Sequence, residues 1–283
     1  MPTKKEKKDQ FVVAWMGNLQ NPERVISHAS FLANMLQKGL ILLYVDDPRY
    51  KGPSSHEAEL QLQHLREGIP QLNDVTYCAL KGDSKKIAEL LPTMLNSVVV
   101  VVGVDASADR RSPSHPKEVL RVFSECKIAY LTVQEPLNHP ELMNDIAFSV
   151  DFRKESKEKL VWASYFARFG GSRMHVLYNP YKDEGLRAKW FNNMKFMTKF
   201  FNSLELTFRP HEVTGRSTFA ETLSIDYSDQ QHFGLLISVT TDLRNKDALE
   251  LIIGTQEQRT IRNAAKLPIL FINPRDDIYV LCD

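Results

Sequence analysis

Two tandem α/β domains, each a five-stranded, mostly parallel, doubly wound sheet, are what this sequence predicts, and two observations predict them. Short apolar runs of strand length alternate with amphipathic stretches along the 283 residues. That alternation implies right-handed crossovers and helices on both faces of each sheet. The pattern also repeats. Ala29-Ser30-Phe31-Leu32-Ala33-Asn34-Met35 resembles Ala163-Ser164-Tyr165-Phe166-Ala167-Arg168-Phe169, 134 positions later, and Leu42-Leu43-Tyr44 returns as Val176-Leu177-Tyr178 at the same spacing. Lys81-Gly82-Asp83-Ser84 aligns with Thr214-Gly215-Arg216-Ser217 at a spacing of 133, and Lys127 to Leu131 with Lys266 to Leu270 at 139. A spacing that drifts by a few residues is what loop insertions in two diverged copies produce. Pro136, Asn138, His139 and Pro140 make a short linker, which divides the chain into domains 1–140 and 141–283.

In the first copy the apolar runs place strands at Phe11 to Trp15, Leu40 to Val45, Val75 to Leu80, Val98 to Val102 and Ile128 to Val133. In the second they place them at Ile146 to Val150, Met174 to Tyr178, Glu205 to Val213, Leu235 to Val239 and Ile269 to Ile272. Helices lie between them: Val25, His28, Ala29, Leu32 and Leu36 share one face, as do Leu160, Ala163, Phe166 and Ala167.

Composition narrows the function classes. Thirty-six Lys and Arg against 35 Asp and Glu leave a net charge of +1, without the basic field of a dedicated nucleic-acid binder. The apolar runs, Val98 to Val102 among them, are far short of the ~20 residues that span a bilayer. Cys78, Cys126 and Cys282 are widely spaced with no CxxC, which disfavours a disulfide framework or zinc knuckle and suits a reducing cytoplasm. The charged segment Lys4 to Asp9 precedes too short an apolar run for a signal peptide. A cytoplasmic location is the expectation.

Ser149-Val150-Asp151-Phe152-Arg153-Lys154-Glu155, running on to Leu160, resembles the opening of a universal stress protein domain, where a strand ending in Val-Asp leads into a long helix. Leu251-Ile252-Ile253-Gly254-Thr255 and the helix and Leu267-Pro268-Ile269-Leu270 strand that follow resemble the close of that domain. With Lys81-Gly82-Asp83 and the duplication, the whole is similar to a tandem universal stress protein. The resemblance implies the adenine nucleotide alpha hydrolase-like fold and pairing through fifth strands, here Ile128 to Val133 against Ile269 to Ile272 within one chain, as an intrachain pseudo-dimer. Association of two chains into a homodimer stays open.

Nucleotide-binding members carry a Gly-xx-Gly loop after the fourth strand, because glycines let backbone N–H groups approach phosphate oxygens. The second copy has Ser238-Val239-Thr240-Thr241-Asp242 there, without the early glycines and with acids that repel phosphate. The first copy has Gly103-Val104-Asp105-Ala106, and Met16 aligned with Asp151. Ligands in doubly wound sheets sit outside the carboxyl ends of the strands at the switch point. The adenine-nucleotide residues the resemblance carries over are therefore Asp151, Val150, Thr240, Gly254 and Thr255. Asp151 also has a purely structural reading as a helix-cap neighbour, and Gly254 one as a packing residue.

Other candidates read as structure. Arg110-Arg111, with His115 nearby, belongs to a solvated loop. The aromatics from Trp190 to Phe201 recur at helical spacing and read as core or inter-domain packing. Eight scattered histidines give no HExxH and no metal site, and no GxxxxGK[ST], GxSxG or GxGxxG motif names a catalytic residue. Cys78 and Cys126 read as buried small hydrophobes. The reading is a non-enzymatic cytoplasmic stress-response protein with degenerate nucleotide loops and no certain cofactor, acting on a protein partner or small ligand, and not on nucleic acid or membrane. The alternative is a switch that binds ATP or AMP in the second domain.

Overall fold

The computed structural model of the protein describes residues 10–69, 72, 74–214, 220–240, 261 and 266–273. In the first half β1 (Phe11–Trp15), β2 (Gly39–Asp46), β3 (Val75–Lys81), β4 (Ser97–Gly103) and β5 (Ala129–Val133) alternate with α1 (Pro22–Leu36), α2 (Ser55–Glu67), α3 (Ser84–Met94) and α4 (Pro116–Phe123). A 3-10 turn over Pro140–Asn144 leads into the second half. There the strands are β6 (Asp145–Ser149), β7 (Arg173–Tyr178), β8 (Phe208–Glu212), β9 (Leu235–Val239) and β10 (Ile269–Ile272). Its described helices are α5 (Glu158–Gly170), α6 (Glu184–Ser203) and α7 (Ala220–Gln230).

Every expected strand is present. Only β8 starts well inside its expected range, because the turn that ends α6 holds Glu205 at φ 56° and ties Leu206 N–H to the Phe201 carbonyl at 2.9 Å. Pro210 is tolerated in β8 because that strand is an outer edge. Helix starts follow local chemistry: Ser54 and Glu57 form a reciprocal capping box on α2, and Asp83 and Asp183 cap α3 and α6.

The ten strands form one sheet in the order β3-β2-β1-β4-β5-β10-β9-β6-β7-β8. Each half contributes a parallel five-stranded set of the same winding, and the two sets join where β5 and β10 run antiparallel. Leu131 lies opposite Leu270, so a pseudo-twofold passes through the pair that the repeat had already matched. Trp15, Phe123, Tyr130 and Phe271 form an aromatic ladder across this seam, with ring centroids 5.1, 5.4 and 5.3 Å apart. Thr132 Oγ1 adds a hydrogen bond to the Ile269 carbonyl at 3.2 Å. Apolar residues of both halves fill two continuous cores, one on each face of the sheet.

Candidate functional site

In each half the strand order reverses direction between the first and fourth strands, and the crevice lies beyond their carboxyl ends. In the second half Val150 and Asp151 follow β6, and Thr240 follows β9, so three of the carried-over residues flank one crevice. Gly254 and Thr255 lie outside the described residues, as do Asp242 and Cys282.

Asp151 is 3% exposed, and its carboxylate is engaged by its own loop. Oδ1 accepts from Ser156 Oγ at 2.6 Å and from the Arg153 N–H at 2.9 Å, while Oδ2 accepts from Arg153 Nε at 2.7 Å. Asn193 of α6 clamps the same loop, donating to the carbonyls of Asp151 and Arg153 at 2.8 Å each. Burial pushes the acid upward, but Lys159, Arg153 and Ser156 outweigh it and hold the carboxyl below its ordinary range. Lys159 is itself fully buried and donates to Ser149 Oγ at 3.0 Å.

Thr240 is likewise engaged. Its Oγ1 donates to Asn273 Oδ1 at 2.7 Å, and Asn273 Nδ2 donates to the carbonyls of Phe123 and Cys126 at 2.7 Å each. These bonds tie the end of β10 to the end of α4 in the other half. Val150 contributes a backbone bond, its N–H reaching the Leu177 carbonyl at 2.9 Å.

The first half repeats that last bond one position away from the sequence alignment. Met16 N–H reaches the Leu43 carbonyl at 2.8 Å, so Met16 is the counterpart of Val150 and Gly17, at φ 57°, the counterpart of Asp151. The alignment that paired Met16 with Asp151 is corrected by one residue, and the acid is missing from the first half all the same. Arg24 occupies the crevice instead. Its Nη1 donates to the Val104 carbonyl at 3.0 Å, and its Nε lies so close to Gly103 that a Cβ there would sit 2.7 Å away. Gly103 thus makes room for the Arg24 guanidinium. Burial lowers the Arg24 pKa against the pull of Asp105 and Glu135.

An Asp-Xaa-Arg lock recurs at the end of β2. Asp47 accepts from the Arg49 N–H at 3.0 Å, from Arg49 Nε at 2.9 Å and from the Ser84 N–H at 2.8 Å. Its carboxyl is held far below the ordinary range: burial opposes this, and the hydrogen bonds from Arg49 and Ser84 overcome it.

The fold also assembles a polar chain that sequence spacing does not reveal. His175 on β7 and His211 on β8 meet at 2.9 Å between Nδ1 and Nε2. His175 Nε2 lies 2.8 Å from Asp145 Oδ1, and the Tyr227 hydroxyl lies 3.0 Å from His211 Nδ1. Their signal is the strand register, which sets Leu177 opposite His211 and His175 opposite Arg209. Among the described residues no group of three or more His, Cys, Asp or Glu is arranged to hold a metal ion. The Arg110-Arg111 loop is exposed, and Cys126 is buried with its thiol pushed up to about 11 by burial. The aromatic stretch proves mixed: Met197 and Phe201 are core, Phe196 and Phe200 half-buried, and Phe191 60% exposed.

A universal stress protein from Archaeoglobus fulgidus DSM 4304 superimposes over 94% of this chain and 97% of its own, with a TM-score of 0.68 at 12% identity. The chain has the fold of a tandem universal stress protein. A functionally unknown protein from Pseudomonas aeruginosa PAO1 is similar over 97% of this chain and 96% of its own, with a TM-score of 0.65 and 14% identity. The cytoplasmic domain of a prokaryotic cation chloride cotransporter is similar over 93% of this chain and 94% of its own, with a TM-score of 0.55 and 12% identity. No family model matches the sequence, and no curated protein matches it significantly. Among the described residues no helix is long and apolar enough to cross a membrane.

Proposed function

We propose that the protein is a non-enzymatic, cytoplasmic stress-response protein of tandem universal stress type, divided at 140/141, that acts through protein contacts and not through a bound nucleotide. The observation that carries this reading is that both crevices are furnished from within. Arg24 lies over Gly103 in the first half, Arg153 and Ser156 hold Asp151 in the second, and Thr240 is engaged with Asn273. A nucleotide entering the second crevice has to displace short, charge-assisted hydrogen bonds of a buried carboxylate, which each contribute about 1.5–3 kcal/mol.

The alternative is a switch in which the second half binds ATP or AMP at Val150, Asp151, Thr240, Gly254 and Thr255. It is favoured by the position of the first three at the switch point. Thermal unfolding with and without millimolar ATP, ADP or AMP plus Mg²⁺ separates the two. A nucleotide at 100 times its dissociation constant adds about 2.7 kcal/mol of stability. The expected result is no shift. A shift that disappears in Asp151→Asn overturns the protein-contact reading in favour of the switch.

A further inference from the structure

The seam between the halves has two ends, exchanged by the pseudo-twofold at Leu131 and Leu270. The chain closes one of them itself with the connection from β5 to β6. The Leu137 N–H donates to Ser27 Oγ of α1 at 2.9 Å, and Ser172 Oγ, just after α5, donates to the Met143 carbonyl at 2.7 Å. Gly234, just before β9, lies so close to this connection that a Cβ there would come within 1.6 Å of the Leu142 carbonyl oxygen. Met143 is 2% exposed in the core, and Leu137 packs against that core.

The positions that correspond to these three anchors at the other end are Val161, Lys38 and Ser97, which do not repeat them: Val161 has no hydroxyl, and Ser97 carries the Cβ that Gly234 lacks. The first two follow from the 134-residue repeat, and Ser97 stands before the Val98 run as Gly234 stands before Leu235. Among the described residues all three line a groove of about 1350 Å³. One wall carries Trp162, Tyr165 and Phe169 along a single side of α5, and another carries Phe196 and Phe200 of α6. Phe169 is 52% exposed and Val161 39%. Lys38, Lys127 and Lys157 stand among the lining residues with one acid, Glu158, and the Lys157 ammonium lies 4.7 Å from the Phe196 ring centroid. In a chain of net charge +1 this is a local concentration of cations around apolar surface.

We propose that this groove docks an acidic, extended segment of a partner protein bearing Leu or Met side chains. The occupant's chemistry is complementary to the lining, and the connection at the closed end serves as a probe of that composition. The connection over residues 134–145 presents Leu137, Leu142 and Met143 together with Glu135, Glu141 and Asp145, and contains no Lys or Arg. Apolar side chains enter between the aromatics of α5 and α6, while carboxylates meet the three lysines. The proposal rests on the protein-contact reading and supplies the surface for it.

The test is fluorescence anisotropy of a fluorescein-labelled peptide with the sequence of residues 134–145, titrated with the full chain at low and high salt. Saturable, salt-weakened binding is expected. It should fall at least tenfold in Lys127→Glu/Lys157→Glu and in Tyr165→Ala/Phe200→Ala, with thermal unfolding showing that both variants are folded. A peptide with Glu135 and Glu141 replaced by Lys should not bind. No saturation at millimolar protein, or binding indifferent to both variants, overturns the proposal. So does saturation by dodecanoate alone, a dimer of the chain that the same substitutions dissolve, or peptide binding only after removal of residues 274–283. Failure here with no nucleotide shift removes the groove and leaves the protein-contact reading standing. An Asp151-dependent nucleotide shift removes that reading whatever the peptide does.

Discussion

Asp151 is both the residue that a nucleotide site needs and the residue that its own loop uses. Its carboxylate neutralises a buried environment that also holds Lys159 and Arg153, so Asp151→Asn keeps the hydrogen-bond acceptor but removes the charge. Breaking a buried pair by removing one partner costs about 3–5 kcal/mol, and denaturant unfolding of Asp151→Asn should show a loss of that order. The ionisable groups also set the pH response. Asp47 and Asp151 titrate below their ordinary range in the folded chain, so their stabilisation is complete above about pH 4 and is lost as pH falls through the folded values. Burial lowers His28 to about 4, against the pull of its bond to the Arg24 carbonyl, and burial with His175 and Arg209 lowers His211. A histidine held neutral by the fold stabilises it above the unfolded value near 6.5 and ceases to do so as pH falls toward the folded one. Thermal stability should therefore fall between about pH 6.5 and 4, before the carboxylates protonate, with His28 alone contributing on the order of 3 kcal/mol. His28→Asn should flatten that slope.

The elements divide by how far their cause is local. Strands such as β4, with five consecutive valines, are legible because a buried parallel strand is written as an apolar run. The face of α1 is legible through Val25, His28, Ala29 and Leu32, all of which are buried. What sequence does not display is contact set by register. His175 and His211 are 36 positions apart and meet only because β7 and β8 pair as they do, whereas the pairing of Met16 with Val150, shown by the backbone bonds to Leu43 and Leu177, is the one that the 134-residue repeat already gives. With both rings neutral, the Asp145 carboxylate, which can only accept, sets the direction of the chain. Asp145 accepts from His175 Nε2–H, His175 Nδ1 accepts from His211 Nε2–H, and His211 Nδ1 accepts from Tyr227. Long-range ¹⁵N–¹H spectra at neutral pH should accordingly find both rings in the Nε2–H tautomer.

At the scale of the molecule, the duplication turns an assembly problem into a folding one. The seam is made of β5 and β10, the ladder of Trp15, Phe123, Tyr130 and Phe271, and the Asn273 bonds to Phe123 and Cys126. Both copies supply those groups, and both cores run across it. Cutting the chain between residues 140 and 141 would leave each half with an open, apolar fifth strand, the kind of edge that pairs with whatever edge it meets. Residues 1–140 produced alone should therefore self-associate through β5, whereas co-production with residues 141–283 should yield a one-to-one heterodimer. Phe271→Ala should weaken that heterodimer, because it removes the last ring of the ladder and opens a cavity at the seam, at a cost of about 3–5 kcal/mol. Sedimentation of the separate and mixed halves measures this directly. Two monomers that stay apart when mixed would mean that the linker, and not the paired strands, holds the halves together.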